Sequence, residues 1–177
     1  MTCSIDQTLI EQTIAFHGHN CPGLTIGLRA SELALEKLNP ENKADWVCIT
    51  ETDMCGVDAI QFLTGCSFGK GNLIHKDFGK SAFTFFDRKA QKGFRALFSD
   101  RATQSENREE RIQMILNAPL KDLFEVQTID LPPVRPARIL MSIKCDHCNE
   151  MTMESRIRLF GGKHLCGPCF EKVEQKI

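Results

Sequence analysis

Two histidines and a cysteine fall at alternate positions of the stretch AFHGHNCPGL, as His17, His19 and Cys21. In an extended segment the side chains alternate between two sides, so these three would project to the same side. Imidazole nitrogen and thiolate sulfur are ligands for zinc and similar metals, and a thiolate is also a nucleophile. The spacing therefore predicts a metal-binding or catalytic site with His17, His19 and Cys21 as candidate metal ligands.

Cys21 stands directly before a predicted helix, because Pro22 suits a first helical position. The free N–H groups and the dipole of a helix start favour a thiolate, so Cys21 is also a candidate nucleophile. His17 and Asp58 are the candidate general bases for such a reaction. Asp58 lies near the start of a short predicted helix, where a carboxylate more often caps the helix than acts as a base.

Two further cysteines, Cys55 and Cys66, flank that short helix. A helix of about ten residues holds its ends roughly 15 Å apart, so the two thiols need not share one site. Cys55 is a candidate metal ligand and Cys66 a candidate nucleophile, although a free cysteine is often only a small buried residue. Lys70 follows in a glycine-rich loop and is a candidate cofactor-binding residue. The loop is not a P-loop, because its spacing is one residue short and no Ser or Thr follows the lysine.

The end of the chain carries a separate group of cysteines. CDHC is followed after seventeen residues by CGPC, which makes four candidate metal ligands: Cys145, Cys148, Cys166 and Cys169. Two Cys-x-x-Cys pairs at this spacing are typical of a closed tetrahedral zinc site, and four thiols favour such a site over a redox dithiol. About forty residues cannot bury a sufficient core, so a structural zinc would supply the folding free energy.

The elements that must position these residues follow from apolar periodicity and turn residues. Helices are predicted over 5–16, 22–38, 57–63 and 106–117, and strands over 46–50, 72–78, 81–87, 94–98 and 124–129. Strands 72–78 and 81–87 are expected to form a hairpin that turns at Gly79 and Lys80. Because helices and strands do not alternate, the predicted fold class is α+β, with a mixed or antiparallel sheet and packed helices.

A proline-rich segment, residues 131–138, separates the core from the cysteine-rich tail. Three closely spaced prolines cannot continue a helix or a central strand, so we expect two domains, residues 1–134 and residues 139–177. The tail has strand-like alternation around a turn at Gly161–Gly162 and a short helix that begins at Cys169. Knuckle, hairpin and helix in this order predict a treble-clef or ribbon zinc finger.

Composition excludes some classes of protein. The chain has 177 residues, 42% of them hydrophobic, and a net charge of -1, which counts against nucleic-acid binding because phosphate contacts need a dense basic patch. It has neither a long apolar run nor a secretory signal, so we expect a cytoplasmic protein without a membrane span. In a reducing compartment, nine cysteines are better explained as metal ligands or reactive thiols than as disulfides.

Three stretches together resemble the FmdE family of formylmethanofuran dehydrogenase proteins: FHGHNCPGLTIGLRA, CGVDAIQFLTGCSFGKGNL and DFGKSAFTFF. The resemblance is dense over residues 5–87 and looser over the rest of the core. The four-cysteine tail is similar to the zinc finger that some members append. The family is named after an operon for molybdenum formylmethanofuran dehydrogenase. The molybdopterin and iron–sulfur machinery of that enzyme belongs to its other subunits, and this sequence lacks the motifs and the room for it.

The resemblance implies an α+β core, commonly homodimeric, with an auxiliary treble-clef zinc finger. It also implies a core metal site built from His17, His19 and Cys21, with Cys55 and Cys66 nearby. The expected cofactors are thus a structural zinc in the tail and a second ion, zinc or iron, in the core.

Three classes of function stay open. The first is a metal-dependent protein of one-carbon or molybdoenzyme metabolism, either an oxidoreductase or an accessory subunit of one. It would use the core ion as a Lewis acid, or Cys21 or Cys66 as a thiolate nucleophile. The second is a non-enzymatic carrier of a metal or cofactor, or an assembly factor that docks on a molybdoenzyme through its finger. The third is a regulator that binds nucleic acid through the finger.

Overall fold

The computed structural model describes residues 3–129 and 139–173. The chain divides into two compact units, Met1–Ala137 and Arg138–Ile177. The proline-rich segment predicted as the domain boundary, residues 131–138, lies outside the described residues. Within the described residues, no helix combines the length and the apolar character that crossing a bilayer requires.

The first unit is an α+β structure, as the sequence predicts. Its α-helices are α1 (Gln7–His17), α2 (Pro22–Lys37), α3 (Gly56–Thr64), α4 (Arg108–Asn117) and α5 (Leu120–Leu123), and a 3-10 helix covers Pro40–Asp45. Its strands are β1 (Trp46–Thr50), β2 (Leu73–His75), β3 (Ala82–Asp87), β4 (Lys92–Phe98) and β5 (Phe124–Ile129). They form one mixed sheet in the order β2-β1-β3-β4-β5, in which only β1 and β2 are parallel.

The hairpin predicted between residues 72–78 and 81–87 is wrong. Strand β2 pairs in parallel with β1, whereas β3 forms its hairpin with β4. The connection after β2 does not fold back on that strand, because the N–H of Lys76 donates to Thr50 O and that of Lys80 to Glu51 O. These hydrogen bonds lead the chain past the end of β1 and into β3.

Helix α2 is the central helix of this unit. Every residue from Leu24 to Ala34 is buried, and α2 packs against both α3 and α4. Buried Arg29 ties α2 to the end of α4, because its guanidinium donates to Leu116 O at 3.0 Å and to Ala118 O at 2.8 Å. The start of α2 is therefore held in a fixed place, which matters because candidate ligands precede it.

The second unit consists of two short hairpins and one helical turn. Its elements are β6 (Ser142–Lys144), β7 (Met151–Met153), a 3-10 turn (Glu154–Arg156), β8 (Arg158–Phe160), β9 (Lys163–Leu165) and α6 (Gly167–Phe170). The turn between β8 and β9 lies at Gly161 and Gly162, both with positive φ, as the predicted hairpin requires. The predicted helix start at Cys169 is wrong by two residues, because the helix begins at Gly167.

Candidate metal centres

The first cluster is assembled at the junction of α1 and α2. His17 is the last residue of α1, and Gly18 ends this helix in the left-handed conformation (φ 92°) with its N–H donated to Ile14 O. Cys21 is extended and caps α2. The prediction of an extended segment from residue 17 is thus wrong at His17. The turn at Gly18, and not strand alternation, brings the side chains of His17 and Cys21 to the same place.

The close crossing of α2 and α3 adds a residue from a distant part of the chain. A Cβ atom on Gly27 would lie 2.1 Å from the carbonyl oxygen of Gly56, so only glycine fits where the two backbones touch. Cys55 caps α3 as Cys21 caps α2, and the contact brings these two helix starts together. Close to the thiols, a Cβ on Gly23 would lie 3.3 Å from Cys55 Cβ.

The resulting group, here called the core cluster, consists of His17, His19, Cys21 and Cys55. One ligand atom from each residue lies within 4.8 Å of all the others. Tetrahedral zinc with bonds of about 2.0–2.3 Å requires ligand atoms roughly 3.3–3.8 Å apart. The separation of Cys21 Sγ from His17 Nε2 is 3.9 Å, which is close to that requirement. Two imidazoles and two thiols are a donor set that suits zinc, so these residues fit a metal ion.

Asp58 fixes the orientation of His17. Its Oδ2 lies 2.7 Å from His17 Nδ1, which leaves Nε2 directed at Cys21. Gln61 Nε2 donates to Oδ1 of the same carboxylate at 3.4 Å. The carboxylate thus bonds side chains and not the backbone N–H groups of its own helix start, so a capping role does not describe it. A carboxylate behind a histidine is the usual outer partner of a metal-bound imidazole.

The two thiols of the core cluster lie in different environments. Cys21 is buried, and its Sγ accepts the N–H of Leu24 at 3.3 Å, a helix-start arrangement that favours the thiolate. Partial burial raises the pKa of Cys55, and the neighbouring Cys21 sulfur raises it further. Two such close thiols resist carrying two negative charges, and a bound cation would reverse this effect.

We expect Asp58→Asn to weaken metal binding at the core cluster by about 10- to 100-fold, as for other outer-shell partners of metal-bound histidines. The neutral amide accepts more weakly from His17 Nδ1–H and stabilises its orientation less. Metal bound per chain would be followed against chelator-buffered free zinc, in which the step for the tail cysteines serves as an internal reference. Glu36→Gln makes the same charge change at an exposed position of α2 and should move neither step. Unchanged binding in Asp58→Asn would contradict this role.

The structure does not bring Cys66 or Lys70 to the core cluster. Cys66 is fully buried in the main hydrophobic core with Cys48, and burial raises the pKa of both thiols. An inaccessible thiol of this kind is a poor nucleophile. Lys70 donates to Gly65 O at 3.0 Å, at the carboxyl end of α3. The nine residues of α3 span about 13 Å, so this lysine lies at the end of α3 opposite Cys55.

The second cluster, here called the tail cluster, brings the four predicted cysteines together. One sulfur atom each from Cys145, Cys148, Cys166 and Cys169 lies within 4.8 Å of the others. The Cys148 and Cys166 sulfurs are 3.8 Å apart, which is the separation expected for two ligands on a tetrahedral ion with bonds of about 2.3 Å. The group fits a four-cysteine zinc site, in agreement with the prediction.

Hydrogen bonds prepare the tail cluster for a cation. The backbone N–H groups of Cys148, Cys166 and His147 lower the pKa of Cys145 to about 6. In contrast, the adjacent Cys166 thiol and burial raise the pKa of Cys169 to about 12. One thiolate therefore forms readily, whereas four form only around a positive ion. His147, which the sequence suggested was a bystander, has Nδ1 3.5 Å from Cys169 Sγ. Its position inside the Cys-x-x-Cys knuckle was the available signal.

Comparison with known proteins agrees with this architecture. Residues 16–125 match the family model described as FmdE, molybdenum formylmethanofuran dehydrogenase operon. A probable S-adenosyl-L-methionine-binding protein of Archaeoglobus fulgidus is 30% identical over 184 aligned positions, which cover 85% of this chain and 50% of the relative. This chain thus spans about half the length of that curated relative.

A solved structure shares the fold over nearly the whole chain. It is the crystal structure of a tungsten formylmethanofuran dehydrogenase FmdE-like protein from Syntrophus aciditrophicus. The two chains are 26% identical with a TM-score of 0.72, and the match covers 93% of this chain and 91% of the other.

Proposed function

Because this chain belongs to the FmdE family, we propose that it acts as a metal-binding protein of the one-carbon or molybdoenzyme metabolism that the family's operon name indicates. The observation that supports this most directly is the core cluster. Two imidazoles and two thiols converge within 4.8 Å from the end of α1 and the starts of α2 and α3. Convergence from three elements requires a fixed tertiary structure, and its donor chemistry suits a transition-metal ion.

The core cluster has a protected side and an exposed side. Cys21 is buried and His17 retains only 10% side-chain exposure, whereas His19 is exposed. We propose that His17, Cys21 and Cys55 hold the ion and that His19 is the ligand that yields its position to an incoming molecule. Three protein ligands with one exchangeable position are typical of catalytic zinc, which would supply a Lewis acid. Asp58 then maintains the orientation of His17 throughout.

A carrier function is the second candidate, and the exposure of His19 favours it equally. A ligand at the surface can be replaced by a ligand of another protein, which is the step that metal transfer needs. The two functions differ in metal affinity and in the fate of the ion. An enzyme retains its ion through repeated turnover, whereas a carrier gives it to a competing apoprotein.

We also propose that the protein is cytoplasmic, forms a homodimer as its family commonly does, and docks on a larger enzyme through its second unit. Exposed apolar side chains of this unit support the docking proposal: Met141, Met151, Met153 and Leu159 are each more than half exposed. Methionine-rich surfaces adapt well to protein partners. Pull-down of a molybdoenzyme component by the wild-type chain, but not by a chain with Met151→Ser and Met153→Ser, would test it.

Substitution of the core cluster tests the metal-binding proposal. We expect the wild-type chain to hold two metal ions, and Cys21→Ser or His19→Ala to hold one after dialysis. The melting temperature should change by only a few degrees, because the serine hydroxyl of Cys21→Ser can still accept the Leu24 N–H and His19 is exposed. Elemental analysis and thermal unfolding measure the two effects.

Matched controls separate the cluster from its residue types. Cys3 and His75 lie outside both clusters, so Cys3→Ser and His75→Ala should retain both ions. The proposal fails if Cys21→Ser still holds two ions. It also fails if Cys21→Ser loses its ion only because the whole first unit unfolds.

A further inference from the structure

We propose that a cavity at the carboxyl end of α3 binds the phosphate group of a small metabolite. The cavity has a volume of about 550 Å³, within the usual range for small-molecule sites, and lies among Lys43, Lys70, Phe62, Asn72 and the last residues of α3. It is remote from Cys55, at the opposite end of the same helix. The inference therefore does not depend on the function proposed for the core cluster.

The two lysines supply fixed positive charge at this cavity. Lys43 Nζ donates to Leu63 O at 3.3 Å, and Lys70 Nζ donates to Gly65 O at 3.0 Å. An ammonium group carries three N–H donors, so each lysine keeps donors beyond the one that holds it in place. Anchoring before the ligand arrives reduces the entropy that binding must overcome.

The loop that carries Lys70 is itself held in place. Asn72 is buried, and its Nδ2 donates to Trp46 O at 3.0 Å while its Oδ1 accepts the N–H of Ser67 at 2.9 Å. This side chain fixes residues 67–72 against β1. Lys70 is exposed, but its loop is not free to carry it away from the cavity.

The charge of the cavity selects the ligand class. The residues that line it include two lysines and no carboxylate, so an anion meets attraction and no like charge. The lysines also offset the partial negative charge at the end of α3. Phe62 and Ala44 form an apolar wall beside them, and the ring of Phe62 is 37% exposed. A phosphate group attached to a flat or apolar body is the chemistry that this combination accommodates.

Binding of inorganic phosphate tests the proposal, in the full chain at low salt and with amide NMR shifts as the readout. We expect saturable shifts confined to residues 43–44, 62–65 and 70–72. Lys43→Gln with Lys70→Gln should weaken binding at least 10-fold, whereas Lys121→Gln, an exposed lysine of α5, should not change it. The titration is repeated in Cys21→Ser, so that phosphate bound to a core metal ion is recognised separately.

The other outcomes overturn the proposal. If the lysines serve only to cap α3, the wild-type chain will bind phosphate no more tightly than the double variant. Shifts that map elsewhere have the same meaning. Where the double glutamine variant does not fold, Lys43→Arg with Lys70→Arg replaces it, because arginine preserves the charge. This variant must bind phosphate within about 3-fold of wild type, and loss of binding in a folded arginine variant contradicts the proposal.

Discussion

Loss of the metal from the tail cluster should unfold the second unit and leave the first unit folded. The buried residues of the second unit are almost all metal ligands, since its buried cluster consists of Cys145, Cys166 and Cys169 with Leu165. A unit of about forty residues without a larger core depends on its ion, and structural zinc in finger peptides contributes about 10–16 kcal/mol. This is the largest effect that we expect from any change in the molecule.

Cys145→Ser combined with Cys166→Ser tests this expectation. Amide NMR should show loss of peak dispersion for residues 139–173, while the peaks of residues 3–129 keep their positions. His164→Ala is the matched control, because His164 lies in the same unit outside the tail cluster, and it should leave both units folded. Persistent protection of the Cys145 N–H, which donates to Glu150 O, in the metal-free chain would contradict the account.

Gly27→Ala should unfold or severely destabilise the first unit, with a loss of about 3 kcal/mol or more in the free energy of unfolding. The added Cβ would lie 2.1 Å from Gly56 O and 2.6 Å from the Gly56 Cα, and backbone cannot rotate away as a side chain can. Relief of this clash requires α2 and α3 to separate. Their separation would also move Cys55 away from Cys21, so any folded fraction should lose metal affinity at the core cluster.

Urea unfolding and chelator-buffered zinc binding measure the two consequences of Gly27→Ala. Gly69→Ala is the control, since a Cβ there meets nothing within 4 Å and the change should cost less than about 0.5 kcal/mol. A Gly27→Ala chain as stable as Gly69→Ala, with its core metal retained, would show that the close helix contact does not position the cluster.

The membership of the core cluster shows what sequence reasoning can reach. The local spacing of His17, His19 and Cys21 was sufficient to place three candidate ligands beside a helix start. The choice between Cys55 and Cys66 was not available locally, because both flank the same helix. It depends on the contact of Gly27 with Gly56, a packing feature between segments about thirty residues apart. The outer position of Asp58 depends on the same contact.

The wrong hairpin has a different physical cause. Gly79 attracted the turn prediction, yet the hairpin turn that follows β3 contains no glycine. Instead, buried Asp87 accepts the N–H groups of Lys89 and Ala90 at 2.9 Å, and Gln91 takes the positive φ of 53°. Side-chain oxygens can replace glycine in a turn, so glycine alone was an insufficient guide.

Anomalous diffraction from crystals of the full chain, with data on both sides of the zinc and iron absorption edges, tests the central claim most directly. We predict two metal peaks in each chain. One lies among the four sulfurs of the tail cluster, and the other lies within bonding distance of His17 Nε2 and the sulfurs of Cys21 and Cys55. A single peak, confined to the tail cluster in crystals grown with added metal, would contradict the assignment of a metal centre to the core.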